Sequence, residues 1–311
     1  MENCFSVSRT ITDVYLIFSQ YSIFEQRFFM KKSIQYIREN LLSLYDPAEI
    51  ESFIFLIFNH LYGYSKKDMI LNRDTILPEE GFKRIAAVVS RLEKFEPIQY
   101  ILGETTFFGL KFKIGPGVLI PRFETEELVD LILKRKKNQA VKIIDLGTGS
   151  GCIAISLKKG LPLSTVWGCD ISDFALNRCH ENAQLNEAVI NWTKYDILGE
   201  VPPVESGFDL IVSNPPYITW KEKALMQRNV VDFEPELALF VPDDDPLLFY
   251  RAIVQKSNQL LKAGGEIYFE INESYGNEIR TLLNQNGFDA EIIKDINGKD
   301  RFAIGLQRQK Q

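Results

Sequence analysis

The chain has 311 residues, of which 45% are hydrophobic and 25% are charged, and its formal net charge is −6. This length and composition predict about two globular domains and exclude the fibrous and disordered classes. The acidic balance argues against a surface built mainly to neutralise phosphates, so we expect no direct nucleic-acid partner.

No apolar run approaches the roughly 20 residues of a membrane span, and residues 1–29 lack the features of a signal peptide. Met30 offers an alternative start, so residues 1–29 are interpreted as an N-terminal extension. The cysteines form no Cys-x-x-Cys pair, which predicts reduced core thiols. They are Cys4, Cys152, Cys169 and Cys179. We expect a cytoplasmic monomer that binds no metal and does not associate with a membrane.

Residues 30–96 carry the apolar spacing of a small helical bundle. Apolar side chains recur three and four positions apart, as in Ile34, Ile37 and Leu41, which is the period of an amphipathic helix. Asp46-Pro47 supplies a cap and a first helical residue for a second helix. The segment is therefore predicted to be all-α.

Between Pro97 and Pro121 the helical spacing gives way to alternation. Residues 105–114 alternate around Gly109, which predicts a β-hairpin. We interpret residues 97–121 as a linker that contains this hairpin and joins two domains.

From residue 122 to residue 311, short apolar strands alternate with amphipathic helices. The predicted strands are 141–146, 166–170, 190–196, 208–213, 265–270, 290–295 and 301–306. The predicted helices are 125–134, 152–158, 173–185, 247–261 and the segment after Tyr275 to Gln285. This order predicts an α/β domain with a mostly parallel seven-stranded sheet, covered on both faces and closed by an antiparallel edge pair.

The first segment that carries chemistry is a strand that runs into a glycine-rich turn and a helix, Asp145-Leu146-Gly147-Thr148-Gly149-Ser150-Gly151. Glycines let the backbone approach a ligand, and the helix start presents unpaired N–H groups. The next strand ends in Asp170, 19 positions after Gly151, where a carboxylate can accept the hydroxyls of a ribose. Together they predict a site for a nucleoside-bearing cofactor.

The spacing of the glycines narrows the choice of cofactor. Gly147-x-Gly149-x-Gly151 differs from the Gly-x-Gly-x-x-Gly that seats a pyrophosphate, and the chain has no Gly-Lys-Ser/Thr loop. A dehydrogenase and a P-loop enzyme are therefore disfavoured. Asp145 at the head of the turn suits a cofactor with a positively charged amino-acid tail, so we predict that the chain binds S-adenosylmethionine.

The second segment, Asn214-Pro215-Pro216-Tyr217, follows the strand at 208–213, at the edge where open α/β sheets bind ligands. An amide nitrogen is a poor nucleophile, so its two hydrogens must be held while its lone pair points at the methyl group. The Asn214 side-chain oxygen and the Pro215 carbonyl can accept these hydrogens. Two prolines stiffen the loop, and Tyr217 can stack on a flat acceptor. Alignment suffices for substitution at a sulfonium, so methyl transfer to a planar nitrogen is predicted.

On these residues the chain resembles the peptide-chain-release-factor glutamine N5-methyltransferases, the PrmC/HemK family, over roughly residues 30–308. The Asn-Pro-Pro-Tyr tetrapeptide is shared with other amino-methylating enzymes, whereas the hairpin and the Pro-Arg-x-Glu-Thr-Glu segment are more specific. The segments outside the two motifs that carry the resemblance are Pro97 to Gly103, Val118 to Arg122, Glu124 to Glu126, Asp170 to Ser172 and Phe233 to Pro235.

The resemblance implies a Rossmann-like class I methyltransferase domain at 122–311 and a substrate-recognition role for the helical domain. The implied reaction is methylation of the glutamine in the Gly-Gly-Gln loop of class I release factors. The implied cofactor-binding residues are Asp145, Gly147, Thr148, Gly149, Ser150, Gly151, Asp170, Ile171, Asp196, Ile197 and Asn214. The implied catalytic and substrate-binding residues are Asn214, Pro215, Pro216 and Tyr217, with Arg122 added to the substrate site.

Three alternatives stay open at this point. A sister activity on a glutamine of a large-subunit ribosomal protein uses the same tetrapeptide. A nucleic-acid amino-methyltransferase would need a basic groove or a target-recognition insert. An S-adenosylmethionine-binding adaptor would not require the Asn-Pro-Pro-Tyr loop.

Overall fold

The computed structural model describes residues 28–309, so almost all of the predicted extension at 1–29, including Cys4, lies outside the described residues. The chain divides into two compact units, Met1–Lys94 and Phe95–Gln311.

The described part of the first unit is helical, with one short antiparallel strand pair. Asp46 caps the second helix, because its carboxylate accepts a hydrogen bond from Ala48 N at 2.8 Å, and Pro47 is the first helical residue. Both features were predicted. The elements are β1 (Phe28–Phe29), α1 (Met30–Leu41), α2 (Pro47–Tyr62), α3 (Lys66–Leu71), β2 (Ile76–Leu77) and α4 (Glu79–Leu92). The largest buried side chains include Met30, Ile37, Leu41 and Phe58.

The second unit alternates strands and helices in the predicted order. It begins with α5 (Ile98–Leu102), β3 (Glu104–Phe107), β4 (Leu110–Lys113), α6 (Phe123–Arg135), β5 (Lys142–Leu146), α7 (Cys152–Gly160), β6 (Thr165–Asp170), α8 (Asp173–Leu185), β7 (Asn191–Lys194) and β8 (Phe208–Ser213). It continues with β9 (Ile218–Thr219), α9 (Arg228–Val231), α10 (Glu236–Leu239), β10 (Phe240–Val241), α11 (Leu248–Leu260), β11 (Leu261–Glu270), α12 (Gly276–Gln285), β12 (Phe288–Lys294) and β13 (Asp300–Gln307).

Seven of these strands form one sheet in the order β12-β13-β11-β8-β5-β6-β7. Strands β11, β8, β5, β6 and β7 run parallel, whereas β13 is antiparallel to both β11 and β12. The predicted mostly parallel sheet with an antiparallel edge pair is therefore confirmed. The chain moves outward from β5 through β6 to β7 and then returns to β8 on the other side of β5, which creates a switch point where such sheets bind ligands.

Alternate residues of the central strands enter different apolar clusters. Ile143 and Leu210 pack in one cluster, and their neighbours Ile144 and Ile211 pack in the other. Because successive side chains of a strand point to opposite faces, the sheet is covered on both sides, as predicted. The three described cysteines are buried free thiols, in agreement with the sequence.

The predicted hairpin forms between β3 and β4 and lies within the second unit. The turn places Phe108 and Gly109 at positive φ, +49° and +74°. Glycine adopts such an angle without strain, whereas phenylalanine rarely does. Two asparagines bind β4: Asn186, which follows α8, donates from Nδ2 to Lys111 O at 2.8 Å, and Asn182 of α8 contacts Lys113. The hairpin is therefore packed against a helix of the sheet.

Some boundaries differ from the prediction. Strand β11 begins at Leu261, which the apolar spacing had assigned to the end of the preceding helix, because a pattern does not show where the chain leaves the helix. The parallel pair β9 and β10 was not predicted, since two residues per strand carry no readable period. Within residues 28–309, none of the helices combines the length and apolar character that a membrane span requires.

Candidate active site

A cavity of about 510 Å³ lies in the second unit at the carboxyl ends of the parallel strands. The loops that follow β5, β6, β7 and β8 form most of its wall. The segment before α6, the first turns of α6 and α11, and the region around α10 complete it. Residues from the strand loops include Gly147, Thr148, Gly149, Ser150, Asp170, Ile171, Ser172, Tyr195, Asp196, Ile197, Asn214 and Pro216. The completing residues include Val118, Pro121, Arg122, Thr125, Pro235, Leu237 and Phe249.

The glycine-rich turn depends on its glycines for backbone conformation. Gly147, Gly149 and Gly151 have φ of +76°, +58° and +80°, in the left-handed region that other residues reach only with strain. A side chain at Gly151 would also meet Trp192 at 3.1 Å and the Cys179 sulfur at 3.2 Å. Glycine is required here for both reasons.

Asn182 holds this turn to the hairpin. Its Nδ2 donates to Ser150 O at 2.9 Å and to Lys113 O at 3.1 Å, and its Oδ1 accepts from Lys113 N at 2.7 Å. The side chain is fully buried. Since a buried amide left without partners is costly, these bonds fix the turn relative to β4.

Asp170 ends β6 beside the turn and lines the cavity. Its Oδ2 accepts from Gly149 N and its Oδ1 from Ser172 N, both at 2.9 Å. Burial raises the pKa of Asp170, while these two backbone N–H groups oppose the rise. Each carboxylate oxygen keeps a second lone pair, so the group can still accept hydroxyl hydrogens from a ligand.

Asp145 lies behind the turn and is completely buried. Its Oδ2 accepts from the Thr148 hydroxyl at 2.5 Å, and its Oδ1 has no hydrogen-bond partner among the described residues. Burial raises the pKa of Asp145 to about 7, and the Thr148 hydrogen bond only partly offsets this rise. The carboxyl group therefore stabilises the turn through its hydrogen bond with Thr148 and does not line the cavity.

Asn214 follows β8 and faces a chain of polar side chains. Its Nδ2 lies 3.3 Å from Thr125 Oγ1, and the Thr125 hydroxyl donates to Glu270 Oε2 at 2.6 Å. The Tyr217 hydroxyl donates to the other oxygen of the same carboxylate at 3.1 Å. Burial raises the pKa of Glu270, whereas the two hydroxyl donors and Arg301 act in the opposite direction.

Arg122 and Glu234 join two walls of the cavity. Arg122 Nη2 lies 2.6 Å from Glu234 Oε1, and the other oxygen of Glu234 accepts from Ile120 N at 3.1 Å. The Glu234 side chain is 1% exposed. Burial raises its pKa, and the Arg122 guanidinium opposes the rise. One buried carboxylate thus fixes the segment before α6.

The cavity brings together most of the residues singled out from the sequence. Thr148, Asp170, Ile197 and Asn214 are among its lining residues, as are Pro216 and Arg122. Four others do not line it: they are Asp145, Gly151, Pro215 and Tyr217. Tyr217, expected to stack on the acceptor, has its hydroxyl bound to Glu270, and its stacking role stays a prediction.

Four side chains of the site were not assigned a role from the sequence. Thr125 and Glu234 belong to segments that carry the family resemblance, and Glu270 ends a predicted strand, where its position at the carboxyl edge was a usable signal. Asn182 gave no signal, because one polar residue inside an amphipathic helix is ordinary. Each acts through a partner that is distant in sequence.

The lining fits the adenosyl part of the predicted cofactor, whereas Asp145, expected beside its charged tail, does not line the cavity. Asp170 offers acceptors, the turn allows close backbone approach, and Ile171 and Ile197 offer apolar surface. The buried Tyr195 hydroxyl has no hydrogen-bond partner among residues 28–309, and Tyr195 also lines the cavity. No group of described His, Cys, Asp or Glu side chains is arranged to hold a metal ion.

Comparisons with known proteins agree with this arrangement. Residues 34–103 match the PrmC N-terminal domain, and residues 123–232 match the methyltransferase small domain. A methyltransferase structure from Pyrococcus furiosus superposes with a TM-score of 0.50 at 18% identity, covering 73% of this chain and 97% of that chain. The sheet order, the cavity at its switch point and these matches define a class I methyltransferase that depends on S-adenosylmethionine.

Two curated relatives specify the family. The release factor glutamine methyltransferase of Bacteroides thetaiotaomicron is 45% identical over 274 residues, covering 88% of this chain and 98% of that protein. The protein of the same name from Flavobacterium psychrophilum is 44% identical, covering 84% of this chain and 93% of that protein. The chain belongs to the release factor glutamine methyltransferase family.

Proposed function

We propose that this chain transfers a methyl group from S-adenosylmethionine to the side-chain N5 of the glutamine in the Gly-Gly-Gln motif of class I release factors. The observation that carries the proposal is that Gly147 to Ser150, Asp170 and Asn214 line a single cavity. A cofactor motif and an amide-binding motif therefore share one space. The names of the curated relatives support the choice of substrate.

The cofactor is proposed to lie against the loops after β5, β6 and β7. Gly147, Gly149 and Gly151 permit close approach of the backbone, Asp170 accepts ribose hydroxyls, and Ile197 beside Asp196 packs on adenine. Thr148, Ser150 and Ile171 complete the contacts, and Asp145 supports the turn. When bound, S-adenosylmethionine would supply an electrophilic methyl group on a positively charged sulfur and would leave as S-adenosylhomocysteine, while the methylated nitrogen gives up one proton.

The chain's own contribution is orientation of the acceptor amide. Asn214 Oδ1 accepts one hydrogen of the glutamine NH2 and the Pro215 carbonyl accepts the other, so the nitrogen lone pair is directed along the line of attack. Pro215 and Pro216 keep the two acceptors at a constant separation. We also propose that Tyr217 contacts the flat amide and that Arg122 contributes to the substrate side of the cavity.

The helical segment 30–96 is proposed as the substrate-recognition domain, 97–121 as the linker and 122–311 as the methyltransferase domain. Its match to the PrmC N-terminal domain supports this role. A cytoplasmic location, a monomeric state and the lack of a direct nucleic-acid partner stay predictions from composition.

The decisive experiment uses S-adenosylmethionine labelled in its methyl group. The protein is incubated separately with a class I release factor, a large-subunit ribosomal protein and DNA, and the label is located by mass spectrometry. We expect one labelled glutamine, in the Gly-Gly-Gln tripeptide of the release factor. Label only on the ribosomal protein or on DNA bases would support one of the alternatives and refute the proposal.

A further inference from the structure

Glu270 is a buried carboxyl group that makes no direct contact with the acceptor in the proposed reaction. It ends β11, and the parallel pairing of Phe269 with Ser213 brings it to the same sheet edge as Asn214. Glu270 is only 1% exposed. Both of its oxygens accept hydrogen bonds, one from Thr125 and one from Tyr217.

The direction of these hydrogen bonds determines the orientation of Asn214. A carboxylate can only accept, so Thr125 gives its single hydroxyl hydrogen to Glu270 and presents only lone pairs to Asn214. Among the two ends of the Asn214 amide, only Nδ2 can then donate to Thr125 Oγ1, 3.3 Å away. The opposite end, Oδ1, is left available to a ligand in the cavity that Asn214 lines.

We propose that Glu270 is a positioning residue that acts through Thr125 to keep the Asn214 side-chain oxygen turned toward the acceptor nitrogen. This inference rests on the proposed function, in which that oxygen accepts a hydrogen of the glutamine amide. A rotated Asn214 would present its own NH2 to the acceptor NH2. One acceptor would be lost and two donors would oppose each other.

The burial of Glu270 supports a role beyond packing. A buried carboxylate costs free energy that a well-packed apolar residue of similar size would not. The Glu270 carboxylate is bonded directly to Tyr217, at one end of the Asn214 to Tyr217 loop. It is linked to Asn214, at the other end, through Thr125. The same buried carboxylate therefore fixes the positions of both ends of the loop.

Glu270→Gln tests the inference with almost no change of shape. The glutamine NH2 can donate to Thr125, which frees the Thr125 hydrogen for Asn214 Oδ1 and allows the Asn214 amide to rotate. We expect kcat for release-factor methylation to fall at least about tenfold, which corresponds to the loss of one oriented hydrogen bond. KM for the release factor and the dissociation constant of S-adenosylmethionine should each change less than about threefold on the same scale.

Variants of the intervening residue separate orientation from packing. Thr125→Val keeps the shape but removes the hydroxyl, and should lower kcat as Glu270→Gln does. Thr125→Ser restores the hydroxyl, and should recover most of the kcat that Thr125→Val loses. Glu266→Gln is the matched control, because Glu266 lies on the same strand and its carboxylate also accepts a hydroxyl hydrogen bond, from Tyr268 at 2.6 Å. Its other partner is Lys136, so it is not bonded to Thr125 or to the Asn214 to Tyr217 loop. The kcat of this variant should equal that of the wild type.

A readout without substrate distinguishes failure of this inference from failure of the proposed function. In 15N-labelled protein, the side-chain NH2 signal that disappears in Asn214→Ala reports the bond to Thr125. We expect Glu270→Gln to shift this signal and Glu266→Gln to leave it in place. An unshifted signal, or a folded Glu270→Gln protein with wild-type kcat, overturns the inference. Absence of release-factor methylation by the wild type would refute only the proposed function.

Discussion

Asp145 and Asp170 are two acids of one site in different surroundings. Asp170 accepts two backbone N–H bonds and lines the cavity, whereas Asp145 is enclosed and one of its oxygens lacks a partner among the described residues. Burial raises the pKa of both, and that of Asp145 reaches about 7. Asp145 is therefore the acid whose ionisation near neutral pH opposes folding of the cofactor-free protein.

The raised pKa of Asp145 makes the stability of the folded protein depend on pH. Because the pKa of Asp145 is higher in the folded state, its contribution to stability is complete below its unfolded pKa of about 3.9 and is lost as the pH rises through about 7. Relative to the wild type, Asp145→Asn should therefore gain free energy of unfolding between pH 5 and pH 8, on the order of a few kcal/mol. Urea unfolding at both pH values measures this gain, and a difference independent of pH would contradict the assignment.

Asn214 and Asp170 should respond oppositely to substitution. Asn214→Ala should abolish methyl transfer and leave S-adenosylmethionine affinity largely intact, because the side chain acts on the acceptor. Asp170→Ala should mainly weaken cofactor binding, by about tenfold or more for lost hydrogen bonds to a charged acceptor. Calorimetric titration and single-turnover assays on both variants check the pair. Collapse of cofactor affinity in Asn214→Ala, or an unchanged dissociation constant in Asp170→Ala, would reverse the role assigned to that residue.

At the scale of elements, the site depends on where strands end and helices begin. The left-handed Gly151 is the residue from which α7 starts, and the same turn is bound by Asn182 of α8. Strands β5 and β8 are adjacent and parallel, so the glycine-rich turn and the Asn214 loop leave the sheet at one edge. Neighbouring parallel strands thus bring the two motifs into one cavity.

Two glycines of this turn form a matched pair for a stability test. Gly151→Ala should lower the free energy of unfolding by about 2 kcal/mol or more, since it combines a left-handed backbone with close contacts to neighbouring side chains. Gly149→Ala should cost about 1 kcal/mol, because it has only the backbone strain and nothing lies within 4 Å of the added carbon. Denaturant unfolding without cofactor provides the comparison. Equal losses would show that the contacts at Gly151 relax freely.

At the scale of the whole molecule, the chain consists of two compact units, and every lining residue of the cavity belongs to the second. We expect a fragment of residues 95–311 to bind S-adenosylmethionine with an affinity within about threefold of the full chain. Methylation of an intact release factor should fall much more, because the proposed recognition domain is missing. Circular dichroism must first show that the fragment is folded. Full activity of such a fragment on the release factor would contradict the recognition role of the first unit.

The sequence by itself determined the features that depend on near neighbours. The periods of strand and helix follow from local backbone geometry, and glycine and proline restrict their own dihedral angles. The seven strands, the hairpin, the cap at Asp46, the glycine-rich turn and the diproline loop were therefore predictable. The chemistry of Asp170 and Asn214 also predicted their place at a ligand site, and both line the cavity.

Only the tertiary structure decided which distant side chains meet. Thr125 and Glu270 are 145 positions apart, and Arg122 and Glu234 are 112 apart. Their contacts follow from strand order and register, which long-range packing selects and no local period records. For the same reason, no local pattern predicts the hydrogen bond from Tyr217 to Glu270, because it depends on β8 and β11 lying side by side.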